Sequence, residues 1–122
     1  MYKIHYYKDK RGNCPIADYF NDLAKRQDKD SRVKLQKIRD YVAYLHATGK
    51  QAGEPYIKHL DGEIWELRPL RDRILFAAWV GQSFVLLHHF IKQTQKTPAR
   101  EIAQAKRNLA DIKERRLDDD RV

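Results

Sequence analysis

Only one cysteine, Cys14, occurs in the 122 residues, so neither an internal disulfide nor a zinc site built from several thiolates is open to this chain. No apolar run approaches the roughly 18 residues that cross a bilayer, and the N-terminus carries no apolar signal-peptide core. No membrane association and a cytoplasmic location are therefore expected. Fixed-period repeats, low-complexity tracts and linkers long enough to separate two domains are also missing. A single domain over residues 1–116 is expected, with 117–122 and its three successive aspartates forming a flexible tail. Acidic residues are the minority charge, with 17 Asp+Glu against 25 Lys+Arg and a formal net charge of +8. The expected partner is polyanionic: nucleic acid, a membrane surface or an acidic protein. With 42% hydrophobic and 34% charged residues the chain has the balance of a folded domain rather than a disordered one.

Periodicity divides the chain into a strand, two helices, four strands and a last helix. Ile4 and Tyr6 alternate with Lys3 and His5, which reads as a strand over 2–7. Pro15 suits a first helical turn, and Ile16, Tyr19, Phe20 and Leu23 keep helical spacing to residue 25. After a polar break at 27–31, Leu35, Ile38, Val42 and Leu45 make a second amphipathic helix with Gly49 as its stop. Short strands are expected at 57–60, 64–67, 74–80 and 84–92. The last two are apolar on both faces and should be central. Pro98, behind Thr97 as N-cap, opens a helix with Ile102, Ala105, Leu109 and Ile112 as its stripe. The order predicts an α+β fold, a helical hairpin packed on a twisted and mainly antiparallel sheet.

Arginine punctuates the meander. Arg68 closes one strand and Arg73 opens the next, so antiparallel pairing brings both guanidiniums to one end of the sheet, where two cations suit a phosphate better than a core. Lys92 and Lys96 follow the last strand and can lie beside the same end, as point charges for phosphate or, with a lowered pKa, as proton carriers. His88 and His89 are strand neighbours and point to opposite faces, which makes a two-histidine metal clamp poor. By alternation His88 shares a face with Leu86 and Phe90, and His89 with Leu87 and Ile91. His88 serves either as an acid–base group or as a half-buried histidine bonded to backbone. No metal or other cofactor is expected.

The run Trp65-Glu66-Leu67-Arg68, Arg73-Ile74-Leu75-Phe76, Leu86-Leu87-His88-His89-Phe90-Ile91-Lys92 and Thr94-Gln95-Lys96-Thr97-Pro98 resembles the RelE/HigB superfamily of bacterial toxins. It is most similar to the HigB branch related to phage-derived proteins, and the similarity covers residues 2–116. The resemblance implies a RelE-like fold and the toxin of a type II toxin-antitoxin system, a metal-independent endoribonuclease that cuts mRNA in the ribosomal A site and arrests growth. The implied partners are a HigA-like helix-turn-helix antitoxin, the ribosome and its mRNA, with operator DNA reached only through the antitoxin complex. Arg73 matches in position the arginine that binds the scissile phosphate in RelE-like enzymes, and Arg68, His88 and Lys92 complete the expected catalytic group. Many relatives carry a second lysine where this chain has Gln93.

Tyr56, Lys58 and His59 precede the meander and can stack a base or hold backbone phosphates. Lys96, Lys106 and Arg107 are further expected RNA contacts, since residues 92–116 hold eight Lys/Arg against three Asp/Glu. Two alternatives stand beside the nuclease: a ParE-like inhibitor of DNA gyrase on the same fold, and a non-catalytic basic RNA-binding module.

Overall fold

A five-stranded sheet in the order β1-β5-β4-β3-β2 separates two hydrophobic cores in the computed structural model, which describes residues 1–119 and side chains through residue 115. The strands are β1 (Lys3–Tyr6), β2 (Ile57–Asp61), β3 (Ile64–Leu67), β4 (Asp72–Trp79) and β5 (Ser83–Ile91). The helices are α1 (Pro15–Lys25), α2 (Lys29–Thr48) and α3 (Ala99–Asp119), with a short 3-10 turn at Gly49–Ala52. β1 runs parallel to β5 and every other pairing is antiparallel, so β4 and β5 are central, as their apolar faces require. The fold is α+β and RelE-like, as expected.

The α1–α2 hairpin covers one face, where Ile38 and Leu45 meet Ile74, Phe76 and Leu86. On the opposite face α3 seals a second core through Ala105 and Leu109 against Leu75, Ala77 and Leu87. α2 begins inside the expected polar break because the Asp28 carboxylate caps it, accepting from the Ser31 backbone N–H at 2.9 Å. It ends at Gly49, whose φ of 61° and approach to Tyr2, 2.7 Å from an ideal Cβ, leave no room for a side chain. α3 runs on through Asp119, past the expected start of the tail, and the remainder of that tail lies outside the described residues.

Two local expectations are corrected. Thr97 does not cap α3; its hydroxyl donates to Glu66 Oε2 at 2.6 Å, and Pro98 O accepts from Glu101 N and Ile102 N instead. The β4–β5 register slips between Leu75 and Phe76, which pair with His88 and Leu86 and leave Leu87 as the extra residue of a β-bulge. Past the bulge the alternation changes phase. Leu86 faces the hairpin, Leu87 and His88 both face α3, and His89 returns to the hairpin side. His88 therefore does not share a face with Leu86, nor His89 with Leu87.

The Tyr7 hydroxyl donates to Asp111 Oδ2 at 2.6 Å and ties the exit of β1 to α3. Burial first, then that bond, push the Tyr7 pKa up to about 12, while the same bond and Arg115 hold Asp111 below the usual carboxylate range. A raised tyrosine pKa gives stability that is complete below its ordinary value of 10.0 and is lost as pH rises towards about 12. The lowered aspartate contributes above its ordinary value of 3.8 and loses that contribution as pH falls. Melting temperatures followed through the alkaline window should fall more steeply for wild type than for Tyr7→Phe. Parallel curves would show that this bond does not couple to the fold.

Candidate functional site

The β3–β4 hairpin brings the two arginines together. Leu67 pairs with Ile74, so Arg68 and Arg73 stand one step further towards the turn. Leu70 turns the chain with a φ of 55°, unusual for a residue with a side chain, and its carbonyl accepts from Arg73 Nη1 at 2.8 Å. Asp72 O accepts from the same nitrogen at 2.8 Å. Arg73 is only 6% exposed. It is therefore a structural anchor of the hairpin as well as a cleft residue, and not the surface strand-end charge that its place in the sequence suggests. Burial pulls its guanidinium pKa below the ordinary arginine value, an effect that nearby Glu66 opposes.

These residues line a cleft of about 430 Å³ between the end of the sheet and the β5–α3 connection. Lys58 and His59 of β2, Lys92 at the end of β5 and Lys96 of the connection surround Arg68 and Arg73, while Phe90 and Ile102 give an apolar wall. Arg68 Nε is buried without a hydrogen-bond partner, and its nearest acidic oxygen, Glu66 Oε1, lies 3.6 Å away. Arg73 Nε is 3.9 Å from the same oxygen. Two guanidiniums and three lysines against the single carboxylate of Glu66 leave the lining of the cleft with an excess of positive charge.

Four other expected residues lie outside the cleft. Tyr56 packs on the hairpin side, its ring 5.1 Å from Tyr41 and 4.6 Å from Tyr44. His88 lies 2.7 Å from Glu101 Oε1 of α3. Lys106 pairs with Asp61 at the end of β2, and Arg107 Nη2 donates to Gln104 at 2.7 Å. A second, shallower cavity of about 500 Å³ adjoins the cleft, shares Arg73 and Lys92 with it, and adds Leu70, Arg71 and Gln93. On the opposite face the fully buried Asp72 accepts from Tyr19 Oη at 2.8 Å and lies 2.9 Å from His89 Nε2, binding α1 and β5 to the base of the hairpin.

Sequence reading passed over Glu66 and Thr97 as cleft residues. Glu66 was legible in principle: it is the one charged residue inside Ile64-Trp65-Glu66-Leu67, and it shares a face with Arg68 two positions on. Thr97 was not, because a threonine before proline reads equally as a helix cap. Among the described residues no group of three or more His, Cys, Asp or Glu side chains gathers as a metal site, and no helix is long and apolar enough to cross a membrane.

A cationic cleft at the end of an open five-stranded sheet, with a helical hairpin on one face and a single helix on the other, defines a small RelE-like α+β protein. The family model described as Phage derived protein Gp49-like (DUF891) matches residues 19–110, and the chain belongs to that family, a toxin-antitoxin type of RelE/HigB-like character. No curated protein matches the chain.

Proposed function

We propose that this protein is the toxin of a type II toxin-antitoxin system, of the HigB branch, and that it cuts mRNA in the ribosomal A site. The observation that carries the reading is the convergence of Arg68 and Arg73 in a cleft ringed by Lys58, Lys92 and Lys96. Metal-free RNA cleavage needs the ribose 2′-hydroxyl aligned with its own phosphate, the added charge of the transition state stabilised, and a proton returned to the leaving oxygen. The guanidiniums answer the charge. Proton transfer falls to Lys92, which lines the cleft; His59 lines it too but its Nε2 lies 2.8 Å from Gly62 O, and His88 is engaged with Glu101 outside the cleft. A HigA-like antitoxin is the proposed partner, with operator DNA contacted through that complex.

Expression in growing cells tests the reading against its rival. Loss of defined mRNAs while plasmid supercoiling stays normal supports it; inhibited supercoiling with intact mRNA would assign the protein to the gyrase-directed class. EDTA treatment of the purified protein, followed by return to ribosomes in magnesium buffer, should leave cleavage unchanged, because the 2′-hydroxyl route needs no metal. A zinc or manganese requirement would contradict this mechanism.

Ribosome binding should also weaken by orders of magnitude over a modest rise in salt, as several phosphate contacts are screened. Reversal of Lys106 and Arg107 to glutamate should lower ribosome affinity about tenfold or more. Lys106 and its partner Asp61 are both about half exposed, at 50% and 56%, so the melting temperature should shift little. Equal affinity for the reversed protein would remove this part of α3 from the RNA-binding surface.

A further inference from the structure

Glu66 is the one carboxylate lining the cleft among the described residues, and it is 2% exposed. Its Oε1 lies 3.6 Å from Arg68 Nε and 3.9 Å from Arg73 Nε, while Oε2 accepts from Thr97 at 2.6 Å. Both arginine distances are too long for good hydrogen bonds. The carboxylate thus supplies counter-charge to the guanidiniums without satisfying them, and Thr97 holds it there. A phosphate entering the cleft meets Arg68 at the exposed part of its side chain, which is 24% exposed, while Glu66 keeps its bond to Thr97.

A fixed negative charge beside the arginines opposes every incoming anion, and it opposes a doubly charged one twice as strongly. We propose that Glu66 is a specificity-determining residue: it tempers the arginine pair so that the cleft favours the singly charged phosphodiester inside an RNA chain over a doubly charged terminal phosphate. The proposal rests on the reading that this cleft holds an RNA phosphate. Without the carboxylate, two guanidiniums and three lysines would also retain doubly charged terminal phosphates.

Titration calorimetry of the full chain at fixed ionic strength, near pH 7.5, tests this with two probes. One is a dinucleoside monophosphate methylated at the 2′-oxygen, which carries one charge and cannot be cleaved; the other is a nucleoside 3′-monophosphate, mostly a dianion at that pH. Glu66→Gln keeps the shape and can still accept from Thr97. It should tighten the diester about threefold and the monoester about tenfold, shifting the preference towards the dianion. A purely structural role for Glu66 predicts weaker binding of both probes with their ratio unchanged.

Thr97→Val offers an independent reading if Glu66→Gln does not fold. It frees the carboxylate to close on the arginines and should weaken the monoester more than the diester. An unchanged ratio in whichever variants fold overturns the proposal, even if wild type cleaves RNA. If wild type and Glu66→Gln bind neither probe, the phosphate-cleft reading fails and this proposal fails with it.

Discussion

Arg73→Ala should lose RNA cleavage by a factor of about 100 to 1,000 and should also lower the melting temperature by roughly 10 °C. Two separate consequences follow from one side chain. In the proposed reaction, Arg73 is one of two guanidiniums that would stabilise charge on the reacting phosphate, and removal of one such preorganised donor costs two to three orders of magnitude. In the fold, its Nη1 donates to Leu70 O and Asp72 O at 2.8 Å each, and its Nε faces buried Glu66 at 3.9 Å. Alanine strands two carbonyls and removes a counter-charge from a carboxylate that is 2% exposed, at a cost of about 3 kcal/mol. Thermal denaturation beside a cleavage assay separates the two effects. Arg73→Lys retains charge but not the fork of backbone bonds, so it should keep more stability than alanine. An Arg73→Ala protein that melts like wild type would contradict the anchoring role.

Arg68→Ala should show the complementary pattern, with cleavage reduced about 100-fold and melting changed by no more than about 3 °C. Its side chain is 24% exposed and its pairing with Glu54, itself 68% exposed, contributes little. Its Nε lies 3.6 Å from Glu66 Oε1, too far for a good hydrogen bond, and without it the carboxylate keeps its bond to Thr97 and the nearby Arg73 charge. The side chain therefore has more to give a ligand than the fold. Cleavage assayed on protein shown by circular dichroism to be folded is the measurement. Full activity would remove Arg68 from the chemistry, and a collapse in stability would mean that buried Glu66 depends on it for counter-charge.

The contrast between these arginines marks where sequence reading stops. Hydrophobic period, with proline and glycine as punctuation, located the three α-helices and five strands to within a few residues, because Leu35, Ile38 and Leu45, or Ile74, Phe76 and Leu86, can be buried together in only one kind of element. Pairing across a short turn then brought Arg68 and Arg73 to one end of the sheet. The depth of Arg73 was not legible, since it depends on the left-handed turn at Leu70 that aims a carbonyl back at it. Nor was the facing of His88, for the bulge at Leu87 carries no glycine or proline to announce it. Tyr56 reads as an RNA-stacking aromatic until α2 is packed and Tyr41 and Tyr44 take up its ring. Thr97 is diverted from capping by a carboxylate 31 residues earlier in the chain, a contact that no local pattern contains.

Ribosome-dependent cleavage by the Arg68–Arg73 cleft can be followed in a reconstituted translation reaction on one defined mRNA with ribosomes stalled at a known codon. Mapping both new RNA ends, with wild type and folded Arg68→Ala in parallel, gives the answer. The expected result is a cut within the A-site codon, a 2′,3′-cyclic phosphate on the upstream fragment, and near-complete loss of both with Arg68→Ala. Intact mRNA with wild-type protein, or A-site cleavage of equal extent with Arg68→Ala, would contradict it.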